Sequence, residues 1–354
     1  MPAWLRRAAQ DRTAPRRGGV IAADDSAAND GAADDSGADG IVVVAGEALV
    51  DMVPAPVPGY FELAPGGSPA NVAVGLARLG VRARLLARIA DDMLGRRIRE
   101  HLAGNAVELD HAVLATEQTS LALVAVGTDG GASYDFRVHG TADWQWTAAE
   151  LEGALDGPVL AVHSGSLALT TPPGAAVLRD LLVRAAATAT VSYDPNCRPM
   201  LMGAPADVLA GVHEVLAVAD VVKVSAEDLE WLCPGRGPEA VVEDWLGRGP
   251  AIVAVTLGGD GVLGGTAGGV RSRRPGVPVT VIDTVGAGDT FSAALLAGLH
   301  RRGLLGAAAR ERLRAVSEES LDALLDEAAT AAAITCSRRG ADPPTADEVL
   351  ARPG

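Results

Sequence analysis

The sequence predicts an α/β protein whose central sheet is mostly parallel and covered by helices on both faces. Two observations carry this prediction. From residue 159 onward, short β-branched runs alternate with helical stretches, which is typical of repeated strand–helix units. Residues 41–45 form an apolar β-branched run that indicates a buried first strand. Ligands of such sheets gather at the carboxyl ends of the strands, so functional residues are expected there.

Apolar runs, prolines and glycines set the expected bounds of the elements. Strands are expected at residues 41–45, 82–90, 160–163, 191–193, 221–224, 251–257 and 277–282. Helices are expected at residues 68–80, 92–103, 173–188, 205–217, 226–232 and from 293 onward. Ser68 suits the N-cap of the first helix and Pro69 its first position. A hairpin over residues 120–138 and the proline-rich stretch 54–65 together predict a flap of strands.

Composition excludes several classes of function. The chain has 354 residues, of which 48% are hydrophobic and 21% charged, as in an ordinary soluble protein. A net charge of −15 disfavours nucleic-acid binding, and no apolar run approaches the ~18 residues of a membrane span. The three cysteines have neither metal-site nor disulfide spacing, which suits a reducing compartment, so a cytoplasmic location is expected.

Residues 1–40 differ from the rest of the chain. Arginines precede a tract of Ala, Asp, Gly and Ser that has almost no large apolar residues. Such a segment cannot bury a core, so we expect it to be disordered. It has no apolar h-region and therefore does not resemble a secretory signal. The expected organisation is a disordered extension over residues 1–40 and a folded domain over residues 41–354.

The stretch 283–294, Asp-Thr-Val-Gly-Ala-Gly-Asp-Thr-Phe-Ser-Ala-Ala, predicts a catalytic turn at the start of a helix. Small residues there leave backbone N–H groups open to an anion, and the helix dipole adds about half a positive charge. Gly286, Ala287 and Gly288 would cradle a phosphoryl group. Asp289, next in sequence, would take the proton of the attacking hydroxyl. An Asp that only caps the helix is the alternative, but it does not explain the Gly-x-Gly before it.

A second glycine-rich turn follows the strand expected at 251–257. It contains the Gly-x-Gly-x-x-Gly spacing of a dinucleotide-binding fingerprint, but the residues after it are too irregular to form the helix that this site needs. A P-loop is excluded because the single lysine, Lys223, is followed by valine. The turn instead offers a hydroxyl and open backbone amides to a nucleotide phosphate, at Thr256, Gly258 and Gly261.

For several other polar residues the sequence allows both a role as a ligand and a purely structural role. Asp51 is either a turn residue or a ligand for hydroxyl groups, and Asn71 is either a ligand or a capping residue. Arg137 lies on the expected hairpin, where a lone arginine on a solvated face is the alternative to a ligand. Lys223 and Ser225 close a short apolar strand and are therefore candidates for the nucleotide site.

Six motifs follow one another from residue 41 to about residue 349. They are Gly46-Glu-Ala-Leu-Val-Asp51, Gly66-Gly-Ser-Pro-Ala-Asn71, Asp194-Pro-Asn-x-Arg198-Pro, Thr256-x-Gly-x-x-Gly261, Asp283-Thr-Val-Gly-Ala-Gly-Asp289 and Thr335-Cys-Ser-Arg-Arg-Gly-Ala-Asp-Pro-Pro344. In this order they resemble the ribokinase-type (PfkB) carbohydrate kinases, most closely the fructokinase branch. The resemblance implies a ribokinase-like three-layer α/β/α sandwich with a small β lid from about 52–65 and 120–140.

The resemblance also implies roles for the matching residues. Asp289 would be the general base, with an anion hole formed by residues 286–288. The residues implied to hold sugar hydroxyls are Asp51, Gly67 and Asn71, with Arg137 and Arg198 as further candidates. Those implied to face the ATP phosphates are Thr256, Gly258 and Gly261, beside Lys223 and Ser225.

Two ions are implied as well. Relatives often carry Asn-x-x-Glu where this chain has Ser-Ala-Glu-Asp at 225–228, and Asp228 would organise Mg²⁺ through water. Asp283 and the segment 338–344 would lie near the adenine pocket and a monovalent-cation site, for which K⁺ is the candidate.

The activity implied is phosphoryl transfer from MgATP to a hydroxymethyl group of a ketohexose, with fructose as first candidate. Two alternatives stand beside it. One is the same chemistry on ribose, 2-keto-3-deoxygluconate or a nucleoside, and the other is a catalytically silent sugar-binding or scaffold homologue. The implied partners are a small-molecule sugar and ATP, with a homodimer contact through the lid and with neither nucleic acid nor membrane.

Overall fold

The computed structural model describes residues 40–55, 57, 59–126 and 132–351, which form a three-layer α/β/α structure and a small second sheet. The strands are Ile41–Ala45 (β1), Leu49–Pro54 (β2), Phe61–Gly66 (β3), Arg82–Leu86 (β4), Arg88–Ala90 (β5), Val113–Ala115 (β6), Leu121–Val126 (β7), Ala132–Arg137 (β8), Val159–Gly165 (β9), Thr190–Asp194 (β10), Val221–Ser225 (β11), Ile252–Thr256 (β12), Val262–Thr266 (β13) and Arg271–Arg274 (β14). The helices are Ser68–Arg78 (α1), Met93–Gly104 (α2), Gly174–Ala185 (α3), Pro199–Met202 (α4), Pro205–Leu216 (α5), Ala226–Leu232 (α6), Pro238–Leu246 (α7), Ala287–Arg301 (α8), Arg310–Arg314 (α9), Glu318–Cys336 (α10) and Ala346–Leu350 (α11).

The central sheet has eight strands in the order β14-β13-β12-β11-β10-β9-β1-β4. Six of them run parallel, and β13 and β14 add an antiparallel edge. The prediction of a mostly parallel sheet is therefore confirmed. Because parallel strands end at the same edge, that edge carries Asp194, Ser225 and Thr256, the last residues of three neighbouring strands.

Helices cover both faces of this sheet over separate apolar cores. On one face α1, α8 and α10 pack against Val42 and Val44 of β1. On the other face α3, α5, α6 and α7 pack with Ile41, Val43 and Ala45. Successive side chains of a strand point to opposite faces, so an all-apolar run such as β1 is what a strand buried on both sides requires.

The second sheet joins the proline-rich stretch to the hairpin. Its order is β3-β2-β7-β8, with β2 antiparallel to β3 and parallel to β7. β7 and β8 form the expected antiparallel hairpin, whose turn at 128–131 lies outside the described residues. Trp144 is buried and packs with Val138 and Leu167 next to the end of β8, so it anchors this sheet to the body of the domain.

Three expected boundaries are wrong. The strand expected at 82–90 is divided into β4 of the central sheet and β5, which pairs with β6 in a separate two-stranded sheet. Residues 277–282 form no strand, and Val281 and Ile282 are 58% and 65% exposed. The end of this run is bound to a helix instead of to a strand, because the N–H groups of Ile282 and Asp283 donate to the carbonyl of Cys336 at the end of α10, at 2.8 and 3.3 Å. The run from β1 also does not continue to Asp51, which lies within β2 of the second sheet instead of at a strand end of the central one.

The remaining expectations concern the termini and the surroundings of the chain. Of residues 1–40 only Gly40 is described, so disorder of that segment stays a prediction. Cys197, Cys233 and Cys336 are all free thiols. Within the described ranges, no helix combines the length and the apolarity needed to cross a bilayer.

Candidate active site

Asp289 lies in the first turn of α8, directly after the Gly-Ala-Gly turn. Gly286 precedes the helix with φ 76°, in the left-handed region that favours glycine, and a Cβ there would lie 2.6 Å from Cβ of Ala341. The N–H of Ala287 donates to the carbonyl of Thr284 at 3.2 Å. Those of Gly288 and Asp289 have no backbone partner within the described part of the chain, so two amides at the positive end of the helix are open to an anion.

The carboxylate of Asp289 is held by two donors from α1. Oδ1 accepts from Oγ of Ser68 at 2.6 Å, and Oδ2 accepts from Nδ2 of Asn71 at 2.8 Å. The expected N-cap role of Ser68 is wrong, because Gly67 is the N-cap and the Ser68 hydroxyl is turned to Asp289. The spacing of Ser68 and Asn71, three residues apart on one helix face, was the signal that could have revealed this shared partner.

Asp51, Arg198 and Asp289 lie close enough to affect one another's charge. Burial raises the pKa of Asp51 to about 6, Arg198 opposes the rise and Asp289 adds to it. Oδ2 of Asp51 lies 2.1 Å from where a Cβ on Gly66 would be, so glycine is needed for this approach. Arg198 donates to Oδ1 of Asn196 at 2.7 Å, which fixes its guanidinium near this group.

Sequence reasoning missed a buried carboxylate beside this group, Glu47. It is 2% exposed, and its Oε2 has no hydrogen-bond partner among the described residues. Burial raises the pKa of Glu47 to about 7, a hydrogen bond from Ser166 opposes the rise, and the charge of Asp143 adds to it. A charged residue in the apolar segment between the first two strands was the available signal.

Lys223 and Asp194 form a buried ion pair between the ends of β11 and β10. Nζ of Lys223 lies 2.9 Å from Oδ2 of Asp194, with side-chain exposures of 6% and 2%. Ser292 of α8 donates to the same oxygen at 3.5 Å, which ties the pair to that helix. Burial raises the pKa of Asp194 to about 6, whereas the ammonium lowers it.

Asp228 is part of a capping box at the start of α6. Its Oδ2 accepts from the N–H of Ser225 at 3.2 Å, its Oδ1 accepts from the N–H of Cys197 at 2.8 Å, and Oγ of Ser225 accepts from the N–H of Asp228. The Cys197 thiol also hydrogen-bonds to this carboxylate, and of its roughly four lone-pair sites one is left to accept from a metal-bound water. In the described residues no cluster of three or more acidic, Cys or His side chains forms a cage by itself. This fits Mg²⁺, which keeps several waters and binds largely through phosphates.

The turn after β12 has the open shape expected of a phosphate site. Thr256 ends the strand, and Gly258 and Gly261 have φ values of 57° and 98°. β13 follows in antiparallel pairing where a dinucleotide site requires a helix, so the expectation that no helix follows this turn is confirmed. A Cβ on Gly258 would meet nothing within 4 Å, whereas one on Gly261 would lie 2.0 Å from the carbonyl of Arg274. The Gly258 side of the turn is therefore the accessible one.

Asp283 accepts two backbone hydrogen bonds near the start of α8. Asp283 accepts from the N–H of Val285 at 3.1 Å and from that of Gly340 at 2.9 Å, joining the turn before α8 to the loop after α10.

Arg137, at the end of β8, has a side chain that is 59% exposed and pairs with Asp135 at 2.6 Å. Its surroundings are those of a solvated face, and its role as a sugar ligand stays a prediction.

Comparison with known proteins shows the family to which the chain is similar. The model of the pfkB family carbohydrate kinases matches residues 40–348. A fructokinase of Rhizobium leguminosarum bv. trifolii is 34% identical over 287 residues, which cover 79% of this chain and 85% of the relative.

Two solved structures are similar throughout the domain. The Xylella fastidiosa fructokinase with bound ATP aligns with a TM-score of 0.80 and 32% identity, over 88% of this chain and 97% of its own. A double mutant of the Vibrio cholerae O395 fructokinase, bound to fructose, ADP and a potassium ion, aligns with a TM-score of 0.76 and 27% identity, again over 88% and 97%. These matches confirm the three-layer fold that the sequence predicts.

Proposed function

The chain belongs to the pfkB family of carbohydrate kinases, and on this premise we propose that it transfers the γ-phosphoryl group of ATP to a hydroxymethyl group of a ketohexose, with fructose as the acceptor. The observation that carries the proposal is the setting of Asp289. An oriented carboxylate stands in the first turn of a helix whose leading amides are open to an anion. The fructokinases among its relatives support fructose as the acceptor.

In the proposed reaction Asp289 is the general base. The sugar hydroxyl oxygen attacks the γ-phosphorus, its proton passes to the Asp289 carboxylate, and the bond from phosphorus to the ADP oxygen breaks. Ser68 and Asn71 hold the carboxylate in place for this transfer. The amides of Gly288 and Asp289, with the dipole of α8, stabilise charge on the phosphoryl oxygens. Base catalysis of this kind contributes about 10²- to 10⁴-fold in rate.

We assign the sugar site to the residues around Asp289. Asp51 accepts from sugar hydroxyls and Arg198 donates to them. The backbone of Gly67 and the side chain of Asn71 complete the site. The second sheet is assigned as a lid, and Arg137 would join the site when that sheet closes. Phe61 at the start of β3 and Tyr60 directly before it are 53% and 68% exposed, which supports a homodimer through the lid.

The nucleotide site is assigned to the carboxyl edge of the sheet. Thr256, Gly258 and Gly261 would hold the phosphates, with Ser225 alongside. Asp228 would hold Mg²⁺ through water, and the bound ion would neutralise charge on the phosphate oxygens. Asp283 is assigned to a K⁺ site, which the potassium ion in the Vibrio cholerae structure supports. The free thiols support a cytoplasmic location.

A panel of acceptors tests the proposal. ADP release is measured in a coupled assay with ATP and, in turn, fructose, ribose, 2-keto-3-deoxygluconate and a nucleoside. The proposal predicts the highest kcat/KM with fructose. A higher value for another acceptor would overturn the assignment of the sugar, and no ADP release with any of them would favour a silent sugar-binding homologue.

A further inference from the structure

Lys223 lies behind the first turn of α8 and not in the open part of the nucleotide site. It is the single lysine of the chain, its side chain is 6% exposed, and it forms an ion pair with Asp194 at 2.9 Å. Burial by itself would lower the pKa of Lys223, but Asp194, Asp228 and Asp289 together hold it above its ordinary value. The ammonium is therefore a fixed positive charge inside the domain.

The ammonium of Lys223 lies so close to α8 that it leaves no room for a side chain at Gly288. Gly288 lies within α8 and has no positive φ, so its backbone does not require glycine. A Cβ on Gly288 would lie 2.8 Å from Nζ of Lys223, which is too close for both to keep their places. Gly286, by contrast, is explained by its left-handed backbone. The absence of a side chain at 288 thus leaves room for the ammonium directly beside the open amides.

We propose that Lys223 is a positioning residue for phosphoryl transfer: its buried ammonium, fixed by Asp194, adds positive charge behind the Gly288 and Asp289 amides and holds the transferred group at the start of α8. This inference rests on the proposed kinase function and assigns to Lys223 a role beyond contact with the nucleotide. Two amides and a helix dipole provide only partial charges, whereas the ammonium provides a full one in a site screened from water.

A neutral replacement of the pair separates this role from a structural one. Lys223→Met/Asp194→Asn removes both charges together, so no unpaired buried charge is left to unfold the protein. We expect a melting temperature near that of the unaltered protein and a kcat with fructose lower by about 10- to 100-fold. The matched control is Arg310→Met/Asp220→Asn, which removes a partly buried pair joined at 2.7 Å at the opposite, amino end of β11 and should leave kcat unchanged.

Gly288→Ala gives an independent readout without removing the pair. The added methyl group displaces the ammonium, so in the otherwise unaltered protein kcat should fall by about 10-fold or more. In the Lys223→Met/Asp194→Asn variant, which has no ammonium, the same substitution should change kcat by less than about twofold. Wild-type kcat in the neutral double variant, or an equal effect of Gly288→Ala in both backgrounds, would overturn the inference. If the neutral double variant does not fold, the test is the kcat of Gly288→Ala in the otherwise unaltered protein, and a wild-type kcat there overturns the inference.

The failure of this inference can be told apart from the failure of the proposed function. If the unaltered protein turns over none of the acceptors, the proposed function fails by itself. Equilibrium binding of ATP, measured by calorimetry, then tests the role of Lys223. The neutral double variant should bind ATP more weakly by about threefold or more, since the ammonium that it loses lies nearer to Gly288 than any atom of the Asp194 carboxylate does. Unchanged ATP affinity would overturn the inference in that case.

Discussion

The side-chain amide of Asn71 donates to Oδ2 of Asp289 across 2.8 Å and so joins two helices that are 218 residues apart in the sequence. Ser68, on the same face of α1, donates to the other oxygen. α1 begins directly after β3 of the second sheet. The segment that holds the Asp289 carboxylate is therefore continuous with the sheet proposed as the lid, so closure of that sheet would affect the orientation of Asp289.

Ser68→Ala should lower kcat by about 10-fold, because a hydrogen bond to a charged group is lost and the carboxylate is less well oriented. Steady-state kinetics with ATP and fructose check this. Ser317→Ala is the control, since Ser317 caps the amino end of α10 and its loss should reduce the melting temperature alone. Equal kcat values for Ser68→Ala and Ser317→Ala would contradict a role for Ser68 in orienting the base.

Gly286→Ala should abolish most of the activity. The substitution strains a left-handed residue at φ 76° and pushes a methyl group against Ala341, 2.6 Å away, which shifts the turn carrying the open amides. Gly235→Ala is a matched control, because Gly235 has the same φ of 76° but nothing within 4 Å of an added Cβ. Both variants should lose about 1 kcal/mol of stability from backbone strain. Similar kcat values in the two would contradict the anion-hole assignment.

Glu47→Gln should change how stability depends on pH. Because burial raises the pKa of Glu47 to about 7, the folded protein binds this proton more tightly than the unfolded chain. The stabilising contribution is complete below the ordinary pKa of 4.5 and is lost as pH rises through about 7, with an upper size of roughly 3 kcal/mol. Urea unfolding at pH 5 and pH 8 should show Glu47→Gln gaining stability relative to wild type at the higher pH. An equal difference at both values would refute the assignment.

Fructose affinity should fall as pH drops below about 6, because protonation of Asp51 removes an ionised acceptor from the sugar site. Calorimetric titration with fructose at pH 5 and pH 8 measures this change. In Asp51→Asn the affinity should be lower at both values and nearly independent of pH in this range. A pH dependence that survives in Asp51→Asn would assign the titrating group elsewhere.

The sequence was sufficient for the parallel sheet and for the place of Asp289 in the first turn of a helix, since both depend on local pattern. Apolar runs determine the buried strands, and the open amides are adjacent in sequence to the carboxylate. It was insufficient for Ser68, because a serine before proline fits an N-cap equally well and its true partner is 221 residues away. The strand expected at 277–282 is wrong for a related reason, since β-propensity does not reveal that the N–H of Ile282 donates to Cys336, which is distant in the sequence.

The most direct test of the central claim is the kcat of Asp289→Asn with ATP and fructose, with fructose binding measured in parallel. The substitution keeps the size and polarity of the side chain but removes its ability to take a proton. The predicted result is a kcat lower by about 10³-fold or more, with the fructose dissociation constant within about threefold of wild type, since the lost interaction acts in the transition state. A kcat within about tenfold of wild type would contradict Asp289 as the general base.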